Sequence, residues 1–131
     1  VGLALSGLGL CQSNLGDNDT ALETQLKAVS ILENTIGNNH IDYGKTVTNV
    51  GLLYYLNYNF EEAIEYYKKA LECYDKNLVH GHSLYGNLLA NLSNLFVSID
   101  DHEKAYFYQM QYDLAKDSVL NEDMNNQLAS L

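Results

Sequence analysis

From Asn59 to Leu78 the chain reads NFEEAIEYYKKALECYDKNL, and its apolar positions Phe60, Ala63, Ile64, Tyr67, Ala70, Leu71 and Tyr74 recur at intervals of three and four. That spacing gathers them into one stripe of an α-helix and leaves Glu61, Glu62, Glu65, Lys68, Lys69 and Glu72 on the other face. The preceding stretch, GKTVTNVGLLYYLN, carries Val47, Val50, Leu53 and Tyr54 at the same kind of spacing, which predicts a second amphipathic helix packed on the first. Asn59 with Glu62, and Asp100 with Glu103, have the spacing of an N-cap and its reciprocal partner, so they mark expected helix starts.

The pattern then repeats. A shift of 42 residues carries Gly2, Gly9, Leu10, Ala21, Glu23, Lys27, Ala28 and His40 onto Gly44, Gly51, Leu52, Ala63, Glu65, Lys69, Ala70 and His82. A second shift carries Tyr43, Gly44, Asn49, Leu53, Glu61, Ala63, Tyr66, Asp75 and Leu78 onto Tyr85, Gly86, Asn91, Leu95, Glu103, Ala105, Tyr108, Asp117 and Leu120. The expected organisation is one array over 1–131, with copies at 1–42, 43–84 and 85–120 and an exit helix at 121–131. Small residues recur at Gly9/Gly51/Ser93, Ala21/Ala63/Ala105 and Ala28/Ala70, where a missing side chain lets helix backbones approach and bulky neighbours fill the gaps. One helix pair cannot cover its own apolar faces, so stacked copies are required. The expected fold class is therefore all-α, an α-solenoid of three antiparallel helix pairs with a C-terminal capping or exit helix. Copy three is the most divergent, with Tyr112 and Asp113 where copy two has Ala70 and Leu71, as suits an end of the array.

Composition narrows the partners. Seven basic against seventeen acidic residues give a formal net charge of −10, which repels phosphate backbones and anionic lipid headgroups, so neither nucleic acid nor a membrane surface is an expected partner. No apolar run approaches the roughly 20 residues of a membrane span, and VGLALSGLGL at the start is interrupted by glycines and lacks the basic flank of a signal peptide. Two cysteines make no disulfide framework, which points to the cytoplasm, with the periplasm as the alternative. The first residue is Val1 and falls within an expected helix, as in an excerpt or a processed product.

The residues Leu8-Gly9, Ala21 and Ala28, repeated as Val50-Gly51, Tyr54, Ala63, Tyr67 and Ala70, resemble the tetratricopeptide repeat. The 42-residue period, with NNHIDYGKTVTNVGLLY between copies, is similar to the long version found in kinesin light chains and many bacterial proteins. There the linker usually reads His-Pro-Asp-Tyr. Here Ile41 and Ser83 stand in place of the proline, and the chain contains no proline, so the linker must be held by other means. The C-terminal HEKAYFYQMQYDLAKDSVLNEDMNNQLASL resembles the last repeat and exit helix of repeat arrays in bacterial sensor kinases and regulators.

The resemblance implies a non-catalytic module that binds a peptide or helix in a concave groove lined by the first helix of each copy. Carried over by position, the groove candidates are Ser6 and Leu10 in copy one, Lys45, Thr48, Asn49, Leu52 and Tyr55 in copy two, and Asn87, Ala90, Asn91 and Asn94 in copy three. Asn49 and Asn91 stand out, because one carboxamide donates to and accepts from a peptide backbone at once. A clamp for a C-terminal carboxylate needs several groove cations, and Lys45 is the only obvious one, so an acidic tail is not the expected ligand. Most of the eleven tyrosines are expected on buried stripes, Tyr43 and Tyr85 among them, whereas Tyr55 and Tyr58 do not fit a stripe and are binding candidates.

Other chemistry finds no support. His80 and His82 could be half a metal site, but His82 repeats His40 and so has a structural explanation; no metal or other cofactor is expected. Cys11 and Cys73 align with Leu53 and Ile31 respectively and read as core residues. There is no phosphate loop, no paired buried carboxylate and no Ser/His/Asp set, so no enzymatic activity is expected. Two further roles remain open: a sensory segment relaying binding through the helix near Asn121 to an output domain outside this chain, and a self-associating scaffold in which an unfilled array end stacks on its copy in another chain.

Overall fold

The computed structural model describes residues 18–37, 40–78 and 82–129, with side chains placed for all of these save 18, 118–123, 125 and 126. Five helices follow in order among them: α1 (Asn18–Thr35), α2 (Ile41–Leu56), α3 (Phe60–Asn77), α4 (Ser83–Ser98) and α5 (His102–Ala129). Contacts cluster into two compact units, Val1–Asn77 and Leu78–Leu131. The expected first helix of copy one, with Ser6, Leu10 and Cys11, lies outside the described residues, as do His80 and Gly81.

In the first unit α1 packs on α2 and α2 on α3. Most of the expected stripes form its core, while Tyr54, Phe60, Ile64 and Leu71 are half-buried at its edge. Val47, Val50 and Leu53 of α2 and Ala63, Tyr67, Ala70, Cys73 and Tyr74 of α3 are buried, and Ala21, Ala28, Val29 and Leu32 close the core from α1. The glycines of α2 receive rings rather than a neighbouring backbone. A Cβ on Gly44 would stand 2.5 Å from Cε1 of Tyr74, and one on Gly51 would stand 2.6 Å from the Tyr67 ring. The phenols of Tyr67 and Tyr74 are pushed up by that burial.

The proline-free linker is held by histidine. His40 is the N-cap of α2, its Nδ1 accepting from the Asp42 N–H at 3.1 Å, and its carbonyl accepts from the Cys73 thiol at 3.1 Å. Tyr43 follows, buried, with its hydroxyl donating to Glu33 of α1 at 3.0 Å. One short segment thereby fastens α2 to both of its neighbours.

The second unit repeats these devices. His82 caps α4, its Nδ1 accepting from the Leu84 N–H at 3.1 Å. Tyr85, Leu88, Leu89, Leu92, Leu95 and Phe96 are buried where α4 packs on α5. Ser93 stands where copy two has Gly51, and its hydroxyl donates to the Ala105 carbonyl at 3.1 Å. Lys116 replaces the Tyr74 ring, and Tyr112, one turn earlier, covers Gly86 at a looser 3.7 Å. An aromatic pair also recurs with the period: Tyr54 stacks on Tyr66 and Phe96 on Tyr108, each with ring centroids 5.6 Å apart.

The turns between paired helices are alike as well. The Asn59 N–H reaches back to the Tyr54 carbonyl and the Asp101 N–H to the Phe96 carbonyl, each at 2.9 Å. Tyr58 and Asp100 precede them in the left-handed region, at φ 64° and 61°. This six-residue closure satisfies the last carbonyls of the outgoing helix. Its recurrence explains the strained backbone at Tyr58 as a feature of the turn. The expected cap at Asp100 moves by one residue: Asp101 accepts from the Lys104 N–H at 3.2 Å, because Asp100 is committed to the left-handed position. Tyrosine burial is also less than expected, since only Tyr43, Tyr67, Tyr74 and Tyr85 are buried. Helix α5 runs from His102 to Ala129 without a break, across the expected boundary between repeat three and an exit helix.

Candidate functional site

Burying one face of α2 and one of α4 leaves the other to solvent. On α2 the positions turned away from the core begin at Lys45 and continue through Thr48, Asn49, Leu52, Tyr55 and Leu56, spaced by three and four. Lys45, Leu52 and Leu56 are exposed, and Thr48, Asn49 and Tyr55 half-buried. On α4 the matching positions are Asn87 and Asn94, exposed, with Ala90 and Asn91 half-buried between them, and then exposed Val97.

The side chains on these faces differ in how far they are already engaged. The Thr48 hydroxyl donates to the Gly44 carbonyl at 2.7 Å and also meets the Tyr74 phenol, so it serves the α2–α3 packing. Tyr55 lies 5.7 Å from the Phe60 ring, and Phe60 in turn meets Tyr58 edge-on at 6.2 Å. Tyr58 is 81% exposed and closes this small aromatic group at the α2–α3 turn. Asn49 and Asn91 are different: among the described residues neither carboxamide has a hydrogen-bond partner.

Charge is segregated by helix, a feature that pairwise matching of copies passes over. From Tyr43 to Leu56 the only charged side chain is Lys45, and α4 has none. The second helices hold most of the acid: α3 alone has Glu61, Glu62, Glu65, Glu72 and Asp75. A chain of net charge −10 thus keeps two faces nearly neutral, each rich in amide or apolar groups. Such faces suit a ligand recognised through its backbone and apolar side chains, without a strong charge preference.

Among the described residues no group of three or more His, Cys, Asp and Glu is placed to hold a metal ion, and the Nδ1 atoms of His40 and His82 are already engaged as caps. Cys73 is buried and its thiol is pushed up by that burial, which opposes formation of a nucleophilic thiolate. No helix of the described residues is long and apolar enough to cross a membrane.

Paired helices repeated at a period of 42 residues, joined by closed turns and packed through small residues, define a helical-repeat protein. The chain belongs to the tetratricopeptide repeat family, whose model matches residues 1–76 and 46–112. Solved structures that share the fold include the following two. BtubC (BKLC) from P. vanneervenii superposes with a TM-score of 0.84 over 87% of this chain and 45% of its own, at 20% identity. Kinesin light chain TPR-like repeats from Podosopora anserina superpose with a TM-score of 0.79 over 88% of this chain and 55% of theirs, at 16% identity. The fold is accordingly that of a tetratricopeptide α-solenoid, and the chain spans about half the length of these structures. No curated protein matches the sequence at a significant level. Repeats of this family are generally protein-interaction modules.

Proposed function

We propose that the chain is a non-catalytic protein-interaction module in which the exposed face of a first helix, α2 in the first unit and α4 in the second, holds an extended peptide or a partner helix. The observation that carries this reading is the recurrence of Asn49 and Asn91 at the repeat period, each on a nearly neutral face and without a hydrogen-bond partner among the described residues. A carboxamide left open beside an apolar neighbour, Leu52 in copy two, can grip a peptide backbone while the side chains of the ligand vary. Lys45 adds one positive charge at the start of the α2 face, too little for a carboxylate clamp.

The test is peptide selection against the chain from a library of extended peptides, followed by titration of the best binder. Asn49→Ala and Asn91→Ala should each weaken binding by about tenfold, the worth of one hydrogen bond at a desolvated contact, without altering thermal unfolding. Binding that persists unchanged in the folded double variant would remove these faces from the site.

A second reading, a sensory segment that passes binding on through α5, is favoured by the unbroken course of that helix past the third copy. It requires an output element outside these 131 residues, and an intact mass of the native polypeptide near that of this chain alone would eliminate it.

A further inference from the structure

Helix α5 has two apolar faces, and the second unit uses only one. Ala105 and Ala115, with Tyr108 and Tyr112 between them, turn to α4. About 200° around the helix, Phe107, Met110, Leu114, Met124 and Leu128 are all between 44% and 65% exposed. With Asp117 and position 121 between them they follow an unbroken spacing of three, four, three, four, three and four over 22 residues, 107 to 128. That is the a/d seam of a heptad repeat: Phe107, Leu114, residue 121 and Leu128 at a, and Met110, Asp117 and Met124 at d.

Among the described second helices of the copies, only α5 carries the seam. Copy two has Glu65, Lys68 and Glu72, all exposed, where copy three has Phe107, Met110 and Leu114. Nor is it the surface on which a following repeat would sit. In the first unit α1 is followed by copy two, and its matching positions Glu23 and Ser30 remain exposed, with Leu26 half-buried. The α2 helix is met by other residues of α1, among them Ala28, Val29 and Leu32.

We infer that this seam is a dimerisation surface, on which α5 pairs in parallel with α5 of a second copy of the chain. Three observations select that occupant. A heptad seam on a single helix is complementary to itself, residue against like residue, when two copies align in parallel. The sequence places asparagine at 121, an a position, the residue type that fixes register and parallel two-stranded pairing at a cost in stability. The flanking positions raise no repulsion: 106, 113, 120 and 127 on one side and 111, 118 and 125 on the other include a single charged residue, Asp113, and its counterpart across the pair is Ser118. Asp117 is the exception, since at d it meets its own mate, and it keeps the association weak and concentration-dependent. The seam is on another helix than the faces proposed above for peptide binding, and the inference does not rest on them.

The experiment is sedimentation of the full chain across a concentration series, alone and with three single variants, each checked for unchanged helicity and melting. Leu114→Glu should make the chain monomeric, and Met124→Glu, two turns and more away, should do the same if the seam acts as a unit. Asp117→Leu should tighten self-association by about tenfold or more, because it replaces a repelling pair by an apolar one. Leu114→Cys in a chain with Cys11 and Cys73 replaced by serine should form a symmetric disulfide under mild oxidation, as parallel pairing requires. A chain that is monomeric throughout, or that associates equally well with Leu114→Glu, overturns the inference. Cross-linking of Leu114→Cys to Met124→Cys, an a position to a d position as antiparallel pairing brings together, in preference to the symmetric bond would overturn the parallel arrangement.

Discussion

Gly44 and Gly86 occupy the same place in successive copies, yet their surroundings give opposite consequences for a methyl group. At Gly44 a Cβ would meet Tyr74 at 2.5 Å and the Cys73 sulfur at 3.0 Å, and at Gly51 it would meet the Tyr67 ring at 2.6 Å. These rings are fixed among buried neighbours and cannot swing clear. At Gly86 the nearest atom is Tyr112 Cε2 at 3.7 Å, an ordinary contact. Gly44→Ala and Gly51→Ala are therefore expected to lose about 1–3 kcal/mol through overpacking. Gly86→Ala should gain up to about 1 kcal/mol, because alanine is the better helix former and here costs nothing in space. Urea unfolding of the three variants decides this, and equal destabilisation at all three sites would show that the ring contacts do not discriminate the copies. The difference traces to one substitution in sequence, Lys116 in copy three for Tyr74 in copy two, which removes the ring that needs the glycine.

At the scale of the element, the helix starts lack the proline of the linker pattern this chain resembles but keep its histidine, Ile41 and Ser83 following His40 and His82. A linker without proline gives up a preset backbone before the helix, and His40 and His82 supply a side-chain acceptor to the N–H two residues on. His40→Ala and His82→Ala should each cost about 1 kcal/mol, and His→Asp at either position should restore or exceed the original stability, since Asp is among the best caps. If alanine were as stable as aspartate at both sites, the caps would carry no energy. The histidines were legible in the sequence as periodic linker residues, but their capping role depends on which ring nitrogen faces the backbone, and no spacing encodes that. The five described helices were legible, because stacked copies must place the same small and large residues at the same interval. The cap of α5 was misplaced by one residue because Asp100 and Asp101 are chemically alike and only the left-handed turn distinguishes them. Matching copies against one another also conceals whatever is unique to one copy, and so the apolar seam of α5 and the neutrality of the α2 and α4 faces emerged only once exposure was known.

For the whole molecule, the core of the first unit makes stability depend on alkaline pH. Burial pushes the phenols of Tyr43, Tyr67 and Tyr74 above their usual 10.0, with the Glu33 carboxylate adding to the shift at Tyr43, and burial likewise pushes the Cys73 thiol above 9.0. In the folded state these groups hold their protons at pH values where the unfolded chain releases them. Their contribution is complete below the unfolded values and is lost as pH rises through and beyond them, because the unfolded state then binds fewer protons. The urea midpoint should therefore fall steadily from about pH 9 to about pH 11. Tyr67→Phe keeps the ring that fills the space at Gly51 and removes one titrating group, so its decline should be shallower than that of the original chain even if its midpoint at neutral pH differs. Parallel declines for the two proteins would mean that the Tyr67 phenol does not differ between folded and unfolded states, and that the loss at high pH comes from mutual repulsion in a chain already at net charge −10.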